Sequence, residues 1–523
     1  MAFDMICSWL MKAIWSINTK IVTPRLGWHC QHRRKRGRAP LAQMLNWKAC
    51  GMSQTGKNID AARQDYPNSA SRWPWWFHSG LISTVEVSAD GVAFSDAPDL
   101  ARFAYVYDCG SERSDAFNAE LALYRSACSA VTDILLVSHL HADHINGIGR
   151  LQAMAPAKTV VVPYLDVLER LLFVLSDFEQ GTASRSSLDY FADPAEWWLG
   201  KGAVRVIFLQ PGRPDDIPPS RDAGPDVPID RPDGGRRLRL DEHPEKQPAS
   251  RLVTYLKAAE GTSEDGPKKS DTTIRETEEG ALIAASGSYF QLEWQDMRSD
   301  IWRQGDWILS PYVHPVEDPA RKRFFKEIKK AIDFRGNDGA KLAKALLEKL
   351  RSVRDAKKLV EIYNRHFAGG HNAISMSLYS GPLSRTSNQA HLGSRTKAWQ
   401  SSLEAPASGH WFWTSEGIGW LGTGDAALRQ DKWREPWQTF FKHLDDRISV
   451  LTLPHHGSTN NFNRGVLDFP RLEFALATTV EARNRVARLR ETLGTVEAHG
   501  ICAMIVDDQR LSRFTITCER NMY

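Results

Sequence analysis

The sequence predicts an α/β protein, read as a layered αββα sandwich carrying a large, partly helical insertion. Three observations support this. Strand-compatible and helix-compatible runs follow one another in the order strand, helix, strand. Three separate apolar runs each end in a polar, chemistry-bearing cluster. Between the first of these and the other two lies a long stretch of different composition.

The chain's 523 residues suffice for about two to four domains. With 42% hydrophobic and 25% charged residues, the composition is globular, neither fibrous nor wholly disordered. Residues 1–51 carry nine Lys/Arg, five of them from Arg33 to Arg38, against the single acid Asp4. The remainder carries 58 basic and 62 acidic residues, so the basic balance belongs to the amino-terminal segment. Its apolar run, Met5 to Ile17, follows an acid and lacks the flanks of a secretory signal. Residues 1–75 are therefore read as a basic leader or flexible extension. Within it, 1–51 reads first as dispensable, with a more ordinary polar start at Met52; a basic interaction tail and a targeting signal are the alternatives. Trp73, Trp75, Trp76 and Phe77 could stack on bases, but read first as packing the leader on the body. Seven cysteines without a CxxC pair exclude a disulfide scaffold or cysteine-rich zinc module. No run of about 18 apolar residues occurs, so no spanning helix is expected, and the protein is read as soluble and cytoplasmic, without stable membrane insertion.

Residues 76–209 form the first half of the main domain. Strands are expected from Leu81 and over Phe103–Tyr107, a helix over Ala116–Ala130, and a short buried strand over Ile134–Val137. Residues 210–369 are read as the insertion. Gln210–Arg251 holds too many prolines and aspartates to bury a core, and Glu260–Thr273 is similarly polar, so both read as exposed or disordered loops. Ala320–His366 is helical in pattern, with Leu342, Leu346, Leu350 and Val353 as an apolar stripe, and carries fifteen basic against six acidic residues. That charge reads first as a solvated face, and more sharply as a surface that steers a polyanion. Residues 370–523 complete the domain, with strand-like runs over Ser375–Tyr379, Gly417–Asp425, Ser449–Pro454, Val496–Val506 and Arg513–Cys518.

The chemistry concentrates after the Ile134–Val137 strand, in His139-Leu140-His141-Ala142-Asp143-His144. Imidazole nitrogens and a carboxylate suit zinc and similar divalent metals. If His139 and His141 extend the strand, their two-residue spacing aims both rings the same way, while Asp143 and His144 on the following turn reach a second ion. Gly417–Asp425 and Ser449–Ser458 repeat the grammar, delivering Asp425 and the pair His455-His456 at strand ends.

The HxHxDH run, with a later acid and a later histidine pair in order, resembles the metallo-β-lactamase superfamily. The Thr423-Gly424-Asp425 and Pro454-His455-His456-Gly457-Ser458 segments resemble its branch of ComEC-like competence-protein hydrolase domains, and Asp108 with Gly110 is similar to its early Asp-x-Gly. The resemblance covers residues ~80–160 and ~370–523, roughly half of the chain. It implies the αββα sandwich of that superfamily and two divalent metal ions, zinc first and manganese second. His139 and His141 would bind the first ion, Asp143 and His144 the second, and Asp425 both. One of His455 and His456, the former preferred, would complete the second site. His371 would complete the first, with adjacent Asn372 and His366 as competitors. Two departures stand out: the long gap between His144 and Asp425, and the lack of a His-Pro dipeptide in Phe474–Arg485. His499 reads as structural.

The implied activity is dinuclear, metal-dependent hydrolysis in which a bridging hydroxide attacks, with Asp143, Asp425 and His455 as the catalytic set. The substrate is read as a phosphodiester, single-stranded nucleic acid foremost, with small esters or lactones as alternatives. Ser458, Thr459 and Asn460 would either bond a substrate oxygen or cap the next segment. A catalytically lapsed metal-binding module is the competing class. An oxidoreductase would need iron and a flavin domain, for which no signature is seen.

Overall fold

The computed structural model describes residues 70–78, 82–88, 102–111, 114–127, 132–212, 237–240, 250–257, 274–277, 280–296, 301–315, 319–336, 338–367, 374–383, 388–394, 397–398, 411–415, 419–479, 483–507 and 514–521, all within the unit Pro67–Tyr523. In the first half of the chain the strands are β1 (Ala70–His78), β2 (Ile82–Ser88), β3 (Arg102–Cys109), β4 (Thr132–Leu136), β5 (Ala157–Pro163) and β6 (Arg205–Leu209). The middle supplies β7 (Arg237–Arg239), β8 (Ser250–Lys257), β9 (Arg275–Glu276), β10 (Leu282–Ala284), β11 (Tyr289–Asp296) and β12 (Ile301–Val313). The last part supplies β13 (Met376–Pro382), β14 (Asn388–Ser394), β15 (Lys397–Ala398), β16 (Trp411–Ser415), β17 (Gly419–Gly422), β18 (Ile448–Thr452), β19 (Phe474–Thr478), β20 (Cys502–Val506) and β21 (Phe514–Asn521).

These strands make two mixed sheets. One runs β16-β14-β21-β1-β2-β3-β4-β5-β6-β10-β9, the other β15-β20-β19-β18-β17-β13-β12-β11-β8-β7. Within them, β3 through β6 are parallel neighbours, as are β17 through β20. Side-chain alternation along each strand sorts the apolar residues into layers. Tyr105, Tyr107, Ile134, Leu136, Val161 and Ile207 of the first sheet share one core with Phe290, Trp307, Leu309, Leu378, Trp420 and Val450 of the second. Val106, Leu135, Val160 and Val206 point the other way, under helices Ser114–Ala127, Ile148–Met154 and Pro194–Gly200. Ile308, Tyr379, Leu421 and Leu451 lie under helices Asp431–Phe441 and Arg483–Ala498. The protein is therefore of mixed α/β class, with sheet facing sheet and helices on both outer faces.

Several expectations are corrected. The segment 210–369 is not a separable insertion: β7, β8, β11 and β12 extend the second sheet and β9 and β10 the first. The reason is legible in Phe290–Gln295, which alternates apolar and polar residues within the strand that pairs with β8, and in the mostly apolar Trp307–Val313, which pairs with β13. The proline-rich 213–236 and polar 261–273, like the leader 1–69, lie outside the described residues. β1 starts at Ala70, inside the expected leader, so Trp73 to Phe77 belong to a strand paired with β2 and β21. Val496–Ala498 ends a helix, and the strand begins only at Cys502.

The basic helical segment forms as expected, in helices Pro319–Ala331, Gly339–Leu350 and Val353–His366. Leu342, Leu346 and Leu350 are buried, but Val353 is 87% exposed. Ser352 caps a new helix by accepting from Asp355 N, which resets the helical phase and turns Val353 outward. The three helices share an apolar core with helix Val167–Gln180, through Leu171, Leu172, Leu175, Phe324, Leu346 and Tyr363.

Candidate metal centre

Asp425 and the histidine cluster meet where strands of both sheets end. β4 stops at Leu136, so His139 and His141 sit on the loop beyond it rather than on a strand extension. That loop is tied to both sheets: Val137 N donates to Val161 O at 2.9 Å, and Met376 N donates to Ser138 O at 2.9 Å. Tyr107 Oη closes the same seam by donating to Met376 O at 2.5 Å. Asp425 follows β17 after a sharp turn at Gly424, where φ is +53°. A Cβ there would lie 2.5 Å from Ser375 Oγ and 2.9 Å from Ser138 Cβ, so only glycine permits the approach. Asp425 N then donates to Ser375 Oγ at 3.0 Å.

His139 Nε2 lies 3.3 Å from Asp425 Oδ2, His144 Nε2 3.7 Å from Asp425 Oδ1, and His455 Nε2 3.7 Å from Asp425 Oδ2. The rings of His139 and His144 are 3.9 Å apart. One ligand atom from each of His139, His144 and Asp425 fits within a 4.8 Å cluster, and all three side chains are buried or nearly so. His141 lies outside this group, its ring 4.7 Å from that of His139 and 5.5 Å from Phe173 on helix Val167–Gln180. His455, with φ of +48°, reaches the group from a side chain 46% exposed. His456 turns its Nδ1 to Thr478 Oγ1 at 2.9 Å, its ring 5.7 Å from that of His144.

A chain of hydrogen bonds behind the histidines assigns their protons. Asp108, with φ of +62°, accepts from Ser138 N at 2.6 Å and from Ser138 Oγ at 2.7 Å. Its Oδ2 lies 2.9 Å from His144 Nδ1, which donates to the carboxylate. Because the Ser138 hydroxyl proton is committed to Asp108, His139 Nδ1, 2.9 Å from Ser138 Oγ, must donate to it. Both imidazoles thus carry a proton at Nδ1 and turn Nε2 toward Asp425, the arrangement by which a carboxylate behind a histidine prepares it to bind metal.

Burial opposes ionisation of Asp425, yet His139, with His144 and His456 behind it, holds its carboxyl well below the usual carboxylate range. Asp425 Oδ1 and His139 Nε2 are buried and make no hydrogen bond with a described residue. An ionised, dry carboxylate facing imidazole nitrogens is costly without a cation between them, so these residues fit a divalent metal.

Of the other expected ligands, Asp143 lies on the turn Ala142–Ile145, with its side chain outside the described residues, as is the whole of His371. His366, the competitor of His371, instead pairs Nε2 with Glu327 at 2.8 Å in the helical layer. Ser458 accepts from Asn460 N, and its backbone closes the turn to Phe462. His499 Nδ1 bonds Thr495 O at the end of its helix. Sequence reading missed Ser138, Ser375 and Asn461, whose amide donates to Asp425 O at 3.3 Å. Of these, only Ser138 adjoins a candidate ligand in sequence, which could have flagged it. No protein-family model matches the chain, and no curated protein does. Among the described residues, no helix is long and apolar enough to cross a membrane.

Proposed function

We propose that the protein is a metal-dependent hydrolase of the metallo-β-lactamase type acting on phosphodiesters. The supporting observation is the convergence of His139, His144 and Asp425, residues up to 286 positions apart, with His455 alongside. In this reading Asp425 would help to hold each of two divalent ions, zinc or manganese. His139 and His141 would hold one, and Asp143, His144 and His455 the other. Ions so held supply Lewis acidity and lower the pKa of water towards ~7.

The chain's own residues have distinct tasks. Asp425 contributes a negative charge that stays ionised at neutral pH. Asp108 and Ser138 keep the protons of His144 and His139 on Nδ1, so that Nε2 is the nitrogen each would offer a metal. His455, partly exposed, forms the edge across which a substrate would arrive, and Asp143 is retained as the group that orients the attacking water. The sheet ends exclude solvent from His139 and Asp425.

The test is turnover of bis-p-nitrophenyl phosphate, combined with metal analysis. Metal-loaded protein should hydrolyse it, chelated protein should not, and Asp425→Asn should lose turnover while keeping its fold. A metal-free protein as active as the loaded one would refute the reading.

A further inference from the structure

The fold places a strongly basic layer of helices beside the candidate centre. Helix Val167–Gln180 has two working faces. Phe173 lies in the inter-sheet core, its ring 5.5 Å from that of His141. Leu171, Leu172 and Leu175 pack against the helices Pro319–Ala331, Gly339–Leu350 and Val353–His366. One helix, about 10–12 Å across with its side chains, therefore separates the layer from the His141 side of the site. The attachment is reinforced by buried Arg321, which pairs with Glu169 on that helix.

Ala320–His366 carries fifteen basic and six acidic residues, although the chain beyond residue 51 is acidic on balance. Lys322, Arg323, Lys326 and Lys330 on the first helix and Arg354 and Lys357 on the third are exposed and pair with no acid among the described residues. Lys322, Lys326 and Lys330 fall at four-residue steps, so they line one face at intervals of about 6 Å. That interval is comparable with the separation of successive phosphates along an extended strand. A bilayer is the poorer match: an interfacial helix needs an outward apolar face, whereas Phe324, Ile328, Leu342 and Leu346 all point into the shared core.

We propose that this helical layer is the docking surface for the backbone of a single-stranded nucleic acid, held there while one phosphodiester reaches the metal centre. The inference rests on the hydrolase reading and assigns a docking surface outside the centre itself. Binding is mainly electrostatic and independent of sequence.

The test measures binding of a fluorescein-labelled, mixed-sequence single-stranded DNA to the full chain in EDTA across a salt series. The triple variant Lys322→Gln, Lys326→Gln, Lys330→Gln is compared with a control altered elsewhere, Lys158→Gln, Lys201→Gln, Lys432→Gln. The layer variant should bind about tenfold or more weakly, and its slope of log affinity against log salt should fall by about 2, from ~0.7 per phosphate contact. It should keep wild-type turnover of bis-p-nitrophenyl phosphate, which is too small to reach the layer. Wild-type binding by the layer variant, or an equal loss in the control, would overturn the proposal. So would equal or tighter binding to phosphatidylserine vesicles. A wild-type chain that binds DNA through these lysines but hydrolyses no phosphodiester would refute the hydrolase reading and leave the surface standing.

Discussion

Removing the Asp108 carboxylate should weaken metal binding without unfolding the protein. Asp108 accepts from Ser138 N, Ser138 Oγ and His144 Nδ1 at 2.6, 2.7 and 2.9 Å, and through Ser138 it also fixes His139. It does this from a left-handed backbone, φ +62°, so Asp108→Gly is the cleaner deletion: glycine adopts that conformation without strain, whereas alanine would add a backbone penalty. Without the carboxylate, nothing at Asp108 holds the His144 proton on Nδ1, and the Nε2–H tautomer presents no lone pair to a metal. Loss of such an outer partner typically costs 10–100-fold in metal affinity, or about 1.4–2.7 kcal/mol. Competition with a chromophoric zinc chelator measures this directly, with circular dichroism to verify the fold. Asp108→Asn, which keeps an acceptor for Ser138 N, should fall between wild type and glycine. Wild-type zinc affinity in Asp108→Gly would refute the claim that this network prepares the histidines.

Other consequences are open to measurement. His139→Ala and Asp425→Asn should each cut bound zinc sharply, by plasma emission analysis, whereas His366→Ala should leave it unchanged because that ring serves Glu327. Arg321→Ala strands Glu169, a carboxylate that burial pushes up and Arg321 pulls down, and should cost about 3–5 kcal/mol in urea unfolding; Arg321→Met with Glu169→Leu should recover most of the loss. His314, buried with Nε2 2.7 Å from Ser377 Oγ, has its pKa pushed by burial from 6.5 down to about 3. Below ~6.5 the unfolded chain takes up a proton that the folded chain refuses, so this group erodes stability as pH falls through that window, at up to about 1.4 kcal/mol per pH unit. His314→Gln should flatten the acid limb of the stability profile by a comparable slope.

The loops that carry the candidate site were legible because their signal is local. His139 to His144 follow an apolar strand within a few residues, and Asp425 and His455 stand at ends of equally plain strands. The α/β class followed from the same runs. The supporting shell was not legible: Ser138 and Ser375 are ordinary serines whose value comes from lying across the seam between two sheets, a contact between segments over 230 residues apart. The middle of the chain misled for a related reason. Its proline-rich stretch dominates the composition and outweighs the β-signal of Tyr289–Asp296 and Ile301–Val313, which pair with each other and with β8 and β13. Val353 shows how a single cap can shift a stripe. Spacing across Ser352 looks continuous in sequence, but two helices with independent phases meet there.

The most direct test of the metal centre is anomalous diffraction at the zinc edge from zinc-loaded crystals. The account predicts a peak about 2.0–2.2 Å from His139 Nε2, from His144 Nε2 or from a carboxylate oxygen of Asp425, with Asp425 common to every site occupied. Zinc bound elsewhere on the chain, with the space around Asp425 empty, would contradict it.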